Sequence, residues 1–207
     1  MQHQTFRPYQ NDGLNHLYEL LFCDNVVAFA NNEAFPWPVI FADPPDLSAL
    51  LQLANDTRYE SRLRALAATR LKELQGGAPK PELYGVIIEV AMEEGLDVLA
   101  AFSDGTARYL NHAEKAIVFD APNETSNSHI QNLWQHSINV VNKIGPWDKP
   151  RLEPPSTNMV RLSFLVAGQL YFGQGPMDVF FRDPMAGPVL TAATQLMSYL
   201  TQHATQN

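Results

Sequence analysis

A Gly-x-Gly pair in the stretch YFGQGPMD, from Tyr171 to Asp178, is the first candidate for chemistry in this sequence. Such glycines bind nucleotide phosphates when they connect a parallel strand to the N-terminus of a helix. Here Pro176 has no N–H group to offer a phosphate, and Asp178 occupies the position of the third glycine. The nearest predicted helix begins only near Pro188. The stretch therefore reads as a strand end at which Gly173 and Gly175 let the chain turn, and not as a phosphate loop.

Cys23 is the single cysteine, and it follows an apolar run at the end of a predicted helix. As a nucleophile it needs a base, and His16, seven positions earlier, is the candidate. A small buried apolar role is the simpler interpretation. One thiol cannot form an intramolecular disulfide and fits a reducing compartment, so we expect a cytoplasmic protein.

Metal ligands and paired acids form no specific pattern. His129 and His136 lie seven positions apart on one predicted helix, so a metal site there needs a third ligand from elsewhere. Two acidic pairs fall at predicted turns or flank a short apolar segment, where solvated carboxylates are the ordinary interpretation. These pairs are Glu93-Glu94 and Asp178 with Asp183. The sequence predicts no catalytic residue, no metal and no cofactor.

Composition indicates a globular protein that avoids nucleic acid. The chain has 207 residues, 45% of them hydrophobic and 17% charged, with a formal net charge of −8. That apolar content supports a packed core, and the negative charge disfavours nucleic acid and anionic membranes. No 18-residue apolar run and no signal-peptide pattern occurs. We expect a single domain over residues 1–207 and no membrane association.

The periodicity predicts an α+β fold. Residues 1–80 read as helices and loops, although VVAFA and VIFA each resemble a short strand. Residues 81–207 read as a strand meander, a helix, a hairpin turning at Ala167-Gly168 and a final helix. We therefore expect an antiparallel sheet of about five strands packed with helices. A two-residue turn at Asp104-Gly105 would pair Phe102 with Ala107.

The final predicted helix is unusual because it carries no charge. From Pro184 to the C-terminus there is no Asp, Glu, Lys or Arg, and the middle helix of residues 126–144 has only Lys143 on its polar face. Depletion of charge is typical of interface cores, whereas solvent-facing helices usually carry charges. We expect a protein partner or self-association on this face. Its candidate interface residues are Thr191, Thr194, Gln195, Ser198 and Gln202.

A cleft between residues 1–80 and the sheet is the alternative site. Its candidate lining residues are Arg70, Trp147, Arg161 and Tyr171. Arg70 points by helical phase into the apolar stripe of the predicted helix 58–77, which favours a structural ion pair over ligand binding.

Two segments carry a resemblance to known proteins. GLDVLAAFSDGTARYLN and GQLYFGQGPMDVFFRDPMAGPVLTAATQLM resemble conserved bacterial proteins without an assigned activity, over roughly residues 83–200. The layout also resembles roadblock/longin-type modules, apart from an extra strand before the middle helix. That likeness implies a sheet-and-helix interaction platform that dimerises.

The sequence thus supports two hypotheses. The first is a non-catalytic protein-interaction module, such as an accessory subunit, an adaptor or a toxin-neutralising immunity protein. The second is a small-molecule binder or an enzyme without a short motif, with its site in the cleft.

Overall fold

Six strands form one antiparallel sheet in the part of the chain that the computed structural model describes, residues 4–29, 34–76 and 79–204. The strands are β1 (Leu83–Met92), β2 (Gly95–Phe102), β3 (Ala107–Leu110), β4 (Ala116–Phe119), β5 (Met159–Val166) and β6 (Gln169–Pro176). Their order across the sheet is β4-β3-β2-β1-β5-β6. The α+β class is confirmed, and the strand number is six and not about five, because β4 forms a full edge strand on β3.

Helices cover both faces of the sheet. Their bounds are α1 (Asp12–Leu21), α2 (Trp37–Ile40), α3 (Leu47–Asn55), α4 (Ser61–Glu73), α5 (Glu124–Val141), α6 (Met177–Arg182) and α7 (Ala186–Ala204). Asn123 caps the N-terminus of α5 in a capping box. Its side chain accepts the backbone N–H of Ser126, and the Ser126 side chain accepts the backbone N–H of Asn123. These hydrogen bonds satisfy N–H groups that the first helical turn leaves free.

Two apolar cores lie on opposite faces of the sheet. On one face α1, α3 and α4 pack against residues such as Ile87 and Phe102. On the other face α5 and α7 pack against residues such as Ile88 and Phe164. A sheet that is buried on both faces needs nearly continuous apolar strands, which explains why β1 is buried along most of its length.

Tight turns fix the register of two hairpins. Ala167 and Gly168 connect β5 to β6 with φ angles of 49° and 73°, the left-handed pair that a two-residue hairpin turn requires. This confirms the turn that the sequence predicts. Glu93 and Glu94 connect β1 to β2, with Met92 paired with Gly95.

The predicted register of β2 and β3 is wrong by one residue. Ala101, and not Phe102, pairs with Ala107, because Phe102 donates to the Thr106 carbonyl and the three residues 103–105 between them replace the predicted two-residue turn. The Asp104 carboxylate accepts hydrogen bonds from the backbone and hydroxyl of Thr106, and Gly105 adopts a φ of 88°. A side chain that bonds its own loop makes the longer turn favourable.

The N-terminal portion contains helices where the sequence suggested strands. Val26–Phe29 forms a short 3₁₀ helix, and Trp37–Ile40 forms α2, with Pro38 near its start. Ala30, the last residue of VVAFA, lies outside the described residues. None of the described helices is both long and apolar enough to cross a membrane.

Candidate functional site

A cleft of about 340 Å³ opens between the N-terminal helices and the sheet. Its walls are the chain after α1, the second half of α4 and the loop 147–151, and the β5–β6 turn closes one side. The loop is held in place because the Trp147 backbone N–H donates to the Leu170 carbonyl (2.7 Å) and the Trp147 indole donates to the Pro150 carbonyl (2.9 Å). The cleft therefore has a fixed wall, as preformed ligand sites do.

Arg151 is the most deeply buried of the charged residues that line this cleft. Its side chain is only 5% exposed, and it donates from Nη2 to Glu19 Oε2 (2.8 Å) and from Nε to Asp24 Oδ2 (2.9 Å). The guanidinium also lies over the Phe22 ring at 4.0 Å. Burial lowers the pKa of Arg151, but Asp24, Tyr18 and Glu19 outweigh that effect and hold the pKa above its ordinary value. The cation is thus firmly charged and fixed in position.

Two polar atoms of the Arg151–Asp24 pair have no hydrogen-bond partner among the described residues. They are Arg151 Nη1, a donor, and Asp24 Oδ1, an acceptor, and both are buried. Unsatisfied buried polar groups are rare in native proteins, because each costs about 1–3 kcal/mol. Both residues line the cleft, but these two atoms have almost no accessible surface, so they lie behind its wall and do not face the open space.

A second buried network lies behind the cleft on the sheet. Glu89 of β1 is fully buried, accepts a hydrogen bond from the Tyr18 hydroxyl (2.7 Å) and lies beside Arg161 of β5 (3.5 Å). Burial raises the pKa of the Glu89 carboxyl, although Arg161 opposes that rise. Arg161 also donates to Gln174 and to two carbonyl groups of the loop before β5. This network joins the loop to the sheet.

The four residues predicted to line the cleft lie in different parts of the structure. Trp147 lines the cleft. Arg70 pairs with Glu73 one turn along α4 (3.2 Å) and is not among the lining residues. Arg161 is buried in the sheet network, and Tyr171 packs with the core on the opposite face. Only Trp147 of these four therefore belongs to the cleft.

The sequence reasoning missed Arg151 and Glu89. Glu89 had a signal, since it is the one charged residue within the apolar strand LYGVIIEVAM. Arg151 had none, because it lies in a proline-rich connection and its partners lie 127 and 132 positions away.

The proposed interface residues lie together on an exposed face of α7. Thr191, Thr194, Gln195 and Gln202 are exposed, and Ser198 is half-buried. Gln195 also accepts a hydrogen bond from Asn132 of α5 (3.4 Å), so the charge-free polar side of α7 adjoins the polar side of α5, which carries few charges. We call these two faces together the α5–α7 face.

The hydroxyl groups of the α5–α7 face are bonded within their own helix. Thr191, Thr194 and Ser198 each donate to the carbonyl four residues earlier, at 2.8–2.9 Å. Their O–H donors are therefore used internally, and the α7 side of the face presents amide groups and no formal charge. A shallow depression of about 300 Å³ lies between the helices, lined by His129, Thr194, Gln195, Ser198, Tyr199 and Gln202.

Large apolar side chains are exposed around the start of α7. Val179, Phe181 and Met185, on α6 and the turn after it, are 53%, 47% and 38% exposed. Ile138, on the second half of α5, is 44% exposed. Exposed apolar groups beside an uncharged helix face are typical of a protein-binding surface.

The other candidate catalytic and metal-binding residues do not form a site among the described residues. Cys23 is buried, burial raises the pKa of its thiol to about 12, and His16 is exposed, so the two do not form a nucleophile and base. Asp183 accepts the backbone N–H groups of Met185 and Ala186, and these bonds lower the pKa of its carboxyl. No group of three His, Cys, Asp or Glu residues in the described ranges is placed to hold a metal ion.

The Gly-x-Gly stretch is a strand followed directly by a helix. Gly175 lies in β6, and α6 begins at Met177, so the expectation that the next helix begins near Pro188 is wrong. A Cβ atom at Gly175 would lie 2.2 Å from the Phe180 ring. Gly175 is therefore explained by the packing of Phe180 and not by a sharp turn.

No family model matches this chain, and neither the curated proteins nor the solved structures contain a significant match.

Proposed function

We propose that this protein is a non-catalytic protein-interaction module that binds through the α5–α7 face. The observation that carries the proposal is the absence of formal charge on the exposed side of α7, in a chain whose net charge is −8. A solvated helix face of an acidic protein ordinarily carries charged side chains, whereas the core of an interface excludes them. Exposed apolar residues at one end of the face, such as Phe181 and Ile138, support the same assignment.

A second copy of the chain is the occupant that the charge pattern favours. Two copies that each carry a charge of −8 repel, so they approach most readily through a surface without charge. Amide side chains both donate and accept hydrogen bonds, so Gln195 and Gln202 can pair with their own copies across a two-fold axis.

The biological classes proposed for such a module are an accessory subunit, an adaptor or a toxin-neutralising immunity-type protein. The single cysteine favours a reducing compartment, and we propose a cytoplasmic location on that ground. The acidic charge favours protein partners over nucleic acid.

The test introduces one charge into the face and one into a matched control site. Gln195→Glu keeps the shape and the oxygen that accepts from Asn132, but it places one carboxylate of each copy in the proposed interface. We expect the dimer dissociation constant, measured by sedimentation equilibrium, to rise at least about tenfold. Gln52→Glu makes the same change on an exposed position of α3 and should leave the constant within about twofold. Equal effects of the two changes, or a wild-type chain that stays monomeric, would contradict the proposal.

A small-molecule binder or an enzyme without a short motif is the second candidate, and the cleft of about 340 Å³, with aromatic, aliphatic and charged residues in its lining, favours it.

A further inference from the structure

We propose that the outer edge of β6 binds an extended segment of another polypeptide, which adds to the sheet as a seventh strand. β6 lies at one end of the strand order and pairs with β5 on one side only. The backbone groups on its other side therefore need a partner from outside the sheet. No residue of β6 belongs to the α5–α7 face, so the proposal does not depend on the dimer.

The alternation of the strand fixes which backbone groups are free. The Trp147 N–H donates to the Leu170 carbonyl from the side away from β5, so the backbone groups of Leu170 point outward. Because the direction of these groups alternates along a strand, Phe172 and Gln174 also point their N–H and C=O groups outward. None of the described residues forms a backbone hydrogen bond with these four groups. They are spaced as the partner groups of an extended chain are.

The free part of the edge has defined ends. At one end the Trp147 backbone already occupies the position of a seventh strand, opposite Leu170. At the other end Pro176 has no N–H group, and α6 begins at the next residue. Residues 171–175 lie between these ends, so the bound segment has about five residues and a length of roughly 17 Å.

The two edges of the sheet differ in the features that prevent pairing. β4, at the opposite edge, has four residues and is flanked by Lys115 and Asp120. Short strands and charged side chains are common means by which an edge strand avoids a partner. β6 has eight residues and no charged side chain. The long uncharged edge is therefore the one that accepts another strand.

Aromatic and apolar side chains flank the free edge on both faces of the sheet. On one face the Phe172 ring packs edge-on against Trp147, with ring centres 4.9 Å apart, and both residues are half-buried. On the other face Phe180 of α6 packs over Gly175, and Val179 of the same helix is 53% exposed. Side chains of a bound strand point alternately to the two faces, so the partner that fits is an extended apolar segment.

The first experiment measures peptide binding to the full chain by calorimetry. The probe is acetyl-KTVTVTK-amide, together with forms in which leucine or phenylalanine replaces both valines. The terminal lysines keep the peptide soluble and suit a chain with a net charge of −8. We expect at least one peptide to bind with a dissociation constant below about 1 mM. Bound peptide should slow hydrogen exchange of the Phe172 and Gln174 amides at least about tenfold and leave the Val118 amide of β4 unchanged.

N-Methylation of the peptide separates strand addition from adhesion of an apolar peptide. Two methyl groups on alternate nitrogens block one edge of the peptide and leave its other edge free to pair with β6. Two methyl groups on adjacent nitrogens block both edges, although the number of added atoms is the same. The alternate form should bind within about threefold of the parent, and the adjacent form at least about tenfold more weakly.

Proline variants locate the site on the protein. Gln174→Pro removes one outward N–H of β6, and proline is tolerated where a strand N–H faces solvent. This variant should bind the peptide at least about tenfold more weakly. Val118→Pro makes the same change at an outward position of β4 and should bind as the wild type does. Urea unfolding of both variants shows whether the sheet is intact, and the methylated peptides test the wild-type chain without any substitution.

Three results would overturn the proposal. The first is that no peptide of the panel binds at about 1 mM. The second is equal affinity of the two methylated peptides, which would show adhesion without strand pairing. The third is equal binding by the two proline variants, which would place the peptide away from β6. Each of these results leaves the mass of the wild-type chain, and so the proposed dimer, untouched.

Discussion

Replacement of Arg151 by methionine should destabilise the fold by about 4 kcal/mol. The change leaves the Glu19 carboxylate, which is itself only 5% exposed, without its cation. Removal of one partner from a buried ion pair costs about 3–5 kcal/mol. The flexible methionine keeps contact with the Phe22 and Phe6 rings, which keeps the loss near the middle of that range.

Urea unfolding, followed by circular dichroism, measures this loss. With a slope of about 2.5 kcal/mol per molar urea, the midpoint should fall by about 1.5 M. Arg7→Met is the matched control, because Arg7 pairs with Asp12 on the surface and its side chain is 64% exposed. An exposed pair contributes about 0–1 kcal/mol, so the control midpoint should move little.

A double-mutant cycle isolates the pair itself. Glu19→Gln retains an oxygen for the Phe6 backbone N–H, so it removes the charge and spares that hydrogen bond. The double variant Arg151→Met/Glu19→Gln should be more stable than the sum of the single losses by about 2 kcal/mol. A loss below about 1 kcal/mol for Arg151→Met, or strict additivity in the cycle, would refute this account of the buried pair.

Two further predictions concern single positions. Gly175→Ala should lower the free energy of unfolding in urea by about 1–3 kcal/mol, because the added Cβ would overlap the Phe180 ring. The control Gly145→Ala should be nearly neutral, since no atom lies within 4 Å of a Cβ there. Equal effects of the two changes would contradict the packing role of Gly175. At pH 8, Cys23 of the native protein should react with iodoacetamide at least about a hundredfold more slowly than Cys23 of the chain unfolded in urea. Burial raises the pKa of the thiol to about 12 and so keeps it protonated. Similar rates in both states would show that the thiol is accessible.

Local sequence patterns predict much of the sheet, but they fail where contacts with distant segments of the chain determine the local structure. Ala167-Gly168 was a correct turn because glycine at a left-handed position is a local requirement. The predicted β2–β3 register is wrong because Asp104 bonds Thr106 within a longer loop, and the same carboxylate also accepts the backbone N–H of Ser61, a residue 43 positions away. The apolar runs near Val26 and Val39 are too short for their length to distinguish a strand from a helix.

The two candidate surfaces also differ in how far the sequence predicts them. The α5–α7 face is visible in the sequence, because α7 has no Asp, Glu, Lys or Arg and helical periodicity shows which of its sides is polar. The sequence suggests a cleft between residues 1–80 and the sheet, and of the four residues proposed to line it only Trp147 lines the cleft of the structure. Arg151 could not be identified, since a loop arginine has no periodicity and its buried position depends on Glu19 and Asp24 of a distant segment.

The mass of the wild-type chain in solution tests the central claim most directly. Sedimentation equilibrium over two decades of concentration should give a mass that rises toward twice that of one chain. The rise should come at lower concentration when salt is added, because salt screens the repulsion between two chains that each carry a net charge of −8. The Gln195→Glu variant should remain nearer the mass of one chain over the same range. A wild-type mass that stays at one chain throughout would contradict the claim.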